Sequence, residues 1–160
     1  MHKYLTPGEN SSLNAPTGLV TVSHRTGNGL DINLTAFLLT ASGKTEDDSG
    51  MVFFNAQKHS SGCAMFIPPE LQNNVISHSI HFDLSKLPAG ITKIAITLTQ
   101  DGSAGGFSTV NDLQAQIKAG EQILELAPGS FNQETGIIVL ELYVHNGQFK
   151  ARSVWQGFSS

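Results

Sequence analysis

The clearest alternation in the chain runs from Ile76 to Leu84. Ile76, His78, Ile80, Phe82 and Leu84 fall on one phase, and Ser77, Ser79, His81 and Asp83 on the other. That period gathers the apolar set on one face of a strand, whereas a helix would scatter it around the circumference. The pattern recurs at Leu19–His24, with Val20 and Val22 on one side, and at Lys93–Thr99, with Ile94, Ile96 and Leu98 inward. Met51-Val-Phe-Phe54 is a short continuous apolar run, as in a strand covered on both faces. Ile123–Leu126, Gly136–Val144 and Phe149–Trp155 read as further strands, and Cys63–Ile67 as a short one that Pro68-Pro69 stops. Leu113, Ala115 and Ile117 permit another strand, although Val110, Leu113 and Ile117 also fit a helix; strand is the preferred reading.

Turn chemistry separates these runs. Pro7-Gly8, Thr26–Gly29, Ala41–Gly43 and Leu87–Gly90 supply fixed or positive φ between them. Asn146-Gly147 is the strongest hairpin signal, because a type I′ turn needs positive φ at both central residues. Roughly eight to ten short, mostly antiparallel strands with frequent turns predict an all-β, two-sheet β-sandwich. A chain of 160 residues is expected to form one domain over residues 1–160.

Leu30–Leu39 combines two patterns. Asp31 and Asn33 alternate at its start, and Ala36-Phe-Leu-Leu39 is apolar at its end. In a strand, Asp31 and Asn33 share a face at one edge of the sheet, while the other end enters the core. Two oxygen-bearing side chains so placed could serve a cation at the sandwich rim; the competing reading is a polar strand entry turned by Asn28-Gly29. Glu46, Asp47 and Asp48 could contribute from a loop, although a solvated loop tip explains Glu46 and Asp47 better.

Composition narrows the chemistry. Charged residues are 14% of the chain, against a usual share of about 25%. The formal net charge is −4, and the nine Lys and Arg are scattered. Phosphate neutralisation needs grouped cations, so nucleic-acid binding is not expected. A polybasic membrane face is absent too, and no run reaches transmembrane length. With no apolar signal core near the start, cytoplasmic residence is the expectation. Cys63 is the single cysteine, which excludes an internal disulfide and a multi-thiolate zinc site. Nothing in its neighbourhood marks it as an activated thiol, so it reads as structural.

Other candidate chemistry is weak. His78 and His81, three apart in a strand, face opposite sides and cannot share an ion; His78 reads as a satisfied core or interface histidine. His2, His24, His59 and His145 carry no signal. Asp101–Gly106 lacks the Lys-Ser/Thr and helix of a phosphate loop and reads as a flexible hairpin loop. Trp155, in phase with Ala151 and Ser153, reads as core. No nucleophile–base or paired-carboxylate motif emerges, and an enzyme is not expected.

Six motifs in order resemble the TerD family of bacterial tellurium-resistance and general stress proteins. Leu5-Thr-Pro-Gly-Glu-Asn-Ser-Ser-Leu13 is similar to Leu-x-Lys-Gly-x-Asn-x-x-Leu, and Asp31-Ile-Asn-Leu-Thr-Ala-Phe-Leu-Leu39 to Asp-Leu-Asp-x-x-Ala-Phe-Leu-Leu. Met51-Val-Phe-Phe-Asn55 resembles Phe-Val-Phe-Tyr-Asn, and Phe82–Pro88 resembles Ile-Asp-Leu-Ser-Lys-Val-Pro. Glu141–Gly147 and Trp155-Gln-Gly-Phe158 resemble Glu-Leu-Tyr-Arg-x-Asn-Gly and Gly-Gln-Gly-Tyr.

The resemblance implies a two-sheet sandwich, two neighbouring calcium sites and no catalytic activity. The metal positions it implies here are Asp31, Asn33, Asp48, Asn55 and Asp101. Several carboxylates of the pattern are replaced. Asn33 stands for its second Asp, Gly50 for an acid, Ser23-His24 for a Trp-Asp pair, and Val75-Ile-Ser-His78 for Gly-Asp-Asp-Glu. Its Gly-x-Val-x-His-x-Gly-Asp segment has no counterpart around Gly62–Pro69. Calcium affinity follows ligand charge and rigidity, so the expectation is a calcium site that is weakened or lost. The expected function is a non-enzymatic stress-response binding module whose partners are other stress or tellurium-resistance proteins. The alternative is a metal-independent interaction module that assembles with other family members.

Overall fold

The computed structural model describes residues 2–26, 31–45, 50–101 and 106–158, with Asp101 described by its backbone alone. The expected turn at Thr26–Gly29, the acidic loop tip and the Gly-rich loop after Asp101 fall wholly or largely outside these residues. Twelve strands are described: β1 (His2–Leu5), β2 (Asn10–Ser12), β3 (Thr17–Arg25), β4 (Asp31–Thr40), β5 (Met51–Val52), β6 (Ala64–Gln72), β7 (Val75–Asp83), β8 (Ile91–Asp101), β9 (Gln114–Ala119), β10 (Gln122–Leu126), β11 (Gly136–His145) and β12 (Gln148–Phe158). They form two six-stranded sheets, ordered β1-β10-β9-β3-β7-β6 and β2-β12-β11-β8-β4-β5. Only the β1/β10 pairing is parallel among those described. This is the all-β two-sheet sandwich expected from the alternation. The strand count exceeds eight to ten partly because β2 has three residues, too few to leave a periodic signal.

The sheets close on each other through the predicted inward phases. Val20, Val22, Ile80, Phe82, Ile117 and Leu124 from the first sheet are fully buried, as are Ile94, Ile96, Leu98, Ile137 and Leu142 from the second. Along β4 the inward residues are Ile32, Leu34, Ala36 and Leu38. Phe37 and Leu39 point the other way and are only half-buried, with Phe37 registered against Met51 of β5. Asn146 and Gly147 have φ of 51° and 74°, the left-handed pair that the β11–β12 hairpin requires. β9 resolves the strand-or-helix ambiguity in favour of strand.

One local expectation changes, and one strand carries an irregularity that the alternation does not show. Pro68-Pro69 does not stop β6, which continues to Gln72. β6 is an edge strand, and its register with β7 slips between Ile67 and Glu70, so one extra residue is absorbed where the prolines cannot pair. In β12, Ser153 pairs with Leu140 but Gln156 with Ile138, which leaves an extra residue on β12. Trp155 sits at this bulge with φ of 56° and is nevertheless core, packed near Phe131 at 6.3 Å between ring centroids. The TerD pattern has glycine here, the residue that a left-handed bulge position favours.

Candidate functional site at one end of the sandwich

β3 leaves the first sheet at the end where β4 enters the second, and most of the candidate residues cluster at this end. β4 and β8 are antiparallel, with Asp31 opposite Asp101 and Asn33 opposite Thr99. Asp31 and Asn33 therefore share the outer face, as the alternation predicts, and Asp31 is exposed while Asn33 is half-buried. Asn55 follows β5 toward the same end. Phe53 and Ala56 exchange backbone hydrogen bonds of 3.1 and 3.0 Å, and this tight turn leaves Asn55 exposed and unpaired with β4. Asp48 lies outside the described residues. The Thr40 N–H donates to the Lys44 carbonyl at 2.8 Å and closes the turn after β4.

Behind this rim, the inward faces turn polar. His24 of β3 and His78 of β7 lie on the apolar phases of their strands and are 3% and 1% exposed. Their rings stack at 5.0 Å, and Nε2 of one lies 2.9 Å from Nε2 of the other. His24 Nδ1 is 3.1 Å from the Arg25 carbonyl. A carbonyl only accepts, so His24 Nδ1 carries the proton and its Nε2 is the acceptor of a neutral ring. His78 then donates from Nε2, and its Nδ1 remains a bare acceptor, buried without a partner among the described residues. Burial pushes the His78 pKa down to about 4, and the adjacent His24 ring adds to the effect. Burial also lowers the His24 pKa, and the Arg25 carbonyl opposes that shift.

His78 is thus a core histidine, but one with a single ring nitrogen satisfied. His24, unremarkable by itself in the sequence, is its partner. The available signal was phase: both fall on inward stripes, beside Val22 and Ile80. The β3/β7 pairing that joins them, with Val22 opposite His78 and His24 opposite Ile76, spans 54 residues of sequence. His81 faces outward and is exposed.

Gln100 of β8 is buried at the same end of the other sheet, and its Oε1 also lacks a partner among the described residues. On the surface nearby, Arg25 and Asp112 form a 2.8 Å ion pair that ties β3 to the approach to β9. Cys63 is fully buried at the start of β6, and burial raises its thiol pKa above the ordinary value.

Calcium takes about six to eight oxygens. On the described side chains of this rim, Asp31 offers a carboxylate and Asn33 an amide oxygen. No three His, Cys, Asp or Glu side chains come together as a metal-holding group among the described residues. Among the described residues the donor set is short of a full calcium shell. No helix of the described residues is long and apolar enough to cross a membrane.

A two-sheet sandwich with a polar rim and a closed apolar interior is the class of protein that this architecture defines. The chain belongs to the TerD family: the TerD domain model matches residues 1–160. It is 30% identical over 142 residues to the protein YceE of Bacillus subtilis, covering 83% of this chain and 74% of that one. It is 28% identical over 142 residues to general stress protein 16U of the same organism, covering 82% and 73%. The tellurium resistance protein TerD of Serratia marcescens is 28% identical over 142 residues, covering 83% and 74%. The fold superposes on a crystal structure described as a homologue of telluride resistance protein from Streptomyces coelicolor A3(2), with a TM-score of 0.70 over 92% of each chain at 14% identity.

Proposed function

We propose that the protein is a non-catalytic stress-response module of the tellurium-resistance type, that it acts by binding, and that it retains a weak cation site on β4 and β8. The observation that carries the cation part is the register of Asp31 against Asp101, with Asn33 on the same face. The Asp31 carboxylate and the Asn33 amide oxygen are hard oxygen donors two residues apart on one strand face, which suits a shared cation. The TerD and general stress protein relatives support the stress-response part. Titration calorimetry with calcium is the test. The expected result is weak binding that Asp31→Asn abolishes; a silent titration of the wild-type protein removes the metal part.

A second reading, metal-independent assembly with another family member, is favoured by one feature. β4 is ten residues long, and among the described residues β5 pairs with it at Ala36 and Phe37 alone; Phe54 beside this edge is 51% exposed. Partly paired edges are natural pairing surfaces. Light scattering with and without chelator separates the readings: assembly insensitive to chelator supports the second, and assembly lost on chelation supports the first.

A further inference from the structure

The outer face of the first sheet carries a second feature, unrelated to the rim. The strand registers align side chains into two transverse rows. The first runs Tyr4, Glu125, Gln116, Thr21, Ser79 and Ile67, one residue from each of β1, β10, β9, β3, β7 and β6. The second, next to it, runs Gln114, Ser23, Ser77 and Glu70. Five inter-strand steps make the first row about 24 Å long. A depression of about 310 Å³ lies over the Tyr4 half and one of about 320 Å³ over the Ile67 half. Thr21 lines both, so the two depressions adjoin along a line that crosses the strands, here called the groove.

The chemistry of the groove is specific. Its lining mixes amides and hydroxyls, each able to donate and to accept, with apolar surface from Ala115, Leu126, Ala127, Leu19, Ile67 and Pro68. Gln114, Gln116, Ser23 and Ser77 are not engaged with other side chains in any described hydrogen bond; Thr21 and Ser79 touch only each other, at 3.3 Å. Neither row contains Lys or Arg, and each row has one carboxylate, Glu125 in the first and Glu70 in the second. At one end Tyr4 is 68% exposed, with its ring stacked on His2 at 5.1 Å and its hydroxyl bonded to Glu125. His2 Nε2 also lies 3.2 Å from Glu125. The aromatic ring is thus held as a platform beside a carboxylate.

We infer that this groove binds a neutral oligosaccharide. Sugar hydroxyls both donate and accept, matching the amides and hydroxyls of the lining. A carboxylate accepts from adjacent hydroxyls, and an exposed tyrosine ring packs on the apolar C–H face of a pyranose. The charge pattern disfavours anionic polymers: among the described residues the one lysine on this face near the rows is Lys118, in the adjacent row with Leu19 and His81. Phosphate-bearing ligands find no cation in either row and meet Glu125 and Glu70. A polypeptide adding a strand would take an edge of the sheet, not its face.

The test is nuclear magnetic resonance titration of the full chain with maltohexaose, cellohexaose and chitohexaose, with polygalacturonate as the anionic control. The side-chain amides of Gln114 and Gln116 report directly on the groove. The expected result is that at least one neutral hexasaccharide shifts both amide pairs with a dissociation constant of about 1 mM or tighter. Tyr4→Ala and Gln116→Ala should each weaken binding by about tenfold. Tyr4 is exposed, so its truncation leaves the core intact, and unchanged backbone spectra verify this. Asp31→Asn should have no effect, which keeps this result independent of the cation titration. The inference is overturned if none of the neutral sugars shifts the two amides, if polygalacturonate alone does, or if Tyr4→Ala binds as tightly as the wild type.

Discussion

The buried histidine pair makes stability depend on pH in a window where carboxylates contribute little. In the unfolded chain His78 titrates near the ordinary 6.5, and in the folded protein at about 4. A histidine whose folded pKa is depressed leaves stability whole above the unfolded value. Stability falls as pH drops below about 6.5, because the unfolded chain then binds a proton that the folded one refuses. At about 1.4 kcal/mol per pH unit, the full gap is worth about 3 kcal/mol, and about 2 kcal/mol of it is lost by pH 5. His24 shifts in the same direction and adds to the loss. That is a large fraction of a stability of about 5–15 kcal/mol.

The assay is urea unfolding followed by the single Trp155, at several pH values between 7.5 and 5. With an m-value of about 2 kcal/mol/M, the wild-type midpoint should fall by about 1 M over this range. His24→Leu/His78→Leu removes both titrations and replaces the hydrogen-bonded pair with apolar side chains, so neither nitrogen is orphaned. Its midpoint should fall by about 1 M less over the same range. The exposed histidines are common to both proteins and cancel in the comparison. Should the double variant not fold, the ring proton of His78 in the wild-type spectrum reports the same quantity, with a midpoint near 4. Equal pH losses in the two proteins, or a His78 midpoint near 6.5, would refute the reasoning.

Two further predictions rest on burial and backbone geometry. Trp155→Ala should cost about 3–5 kcal/mol for the lost indole burial. Trp155→Gly should be no worse and up to about 1 kcal/mol more stable than Trp155→Ala, because φ of 56° penalises alanine and not glycine; urea midpoints in which alanine beats glycine by about 1 kcal/mol would contradict the strained bulge. Cys63 should be silent to a thiol reagent in the folded protein at pH 8 and react at the global unfolding rate, since it is fully buried and its pKa is raised; rapid labelling without urea would contradict this.

The parts of the fold legible in the sequence are those set by local periodicity. Ile76–Leu84 and Lys93–Thr99 announce their inward faces because a strand's period is independent of its neighbours. Asn146-Gly147 announces its turn because the φ requirement is local. Pro68-Pro69 misleads for the converse reason. Whether a proline interrupts a strand depends on whether its missing N–H was needed, and that depends on β6 lying at an edge, a property of the whole sheet. The site divides the same way. Asp31 and Asn33 share a face by period alone, whereas Asp101 meets Asp31 only through the β4/β8 register. The His24–His78 contact joins strands separated in sequence by β4, β5 and β6. The transverse rows on the outer face need five registers at once, and no stretch of sequence contains them.

The histidine pair also changes what the missing acids mean. By the family pattern, His24 stands where an aspartate is usual and His78 where the Glu of Gly-Asp-Asp-Glu is usual. Two carboxylates turned inward at these positions would repel each other at close range and would need a cation between them. Two imidazoles can remain neutral and give each other a hydrogen bond, and at 2.9 Å these do. Where the resemblance implies two acids, the neutral imidazoles lie together with no cation between them, and their contact is sensitive to pH instead. On the outer face Asp31 is exposed, and solvent around an exposed carboxylate weakens its attraction for any ion.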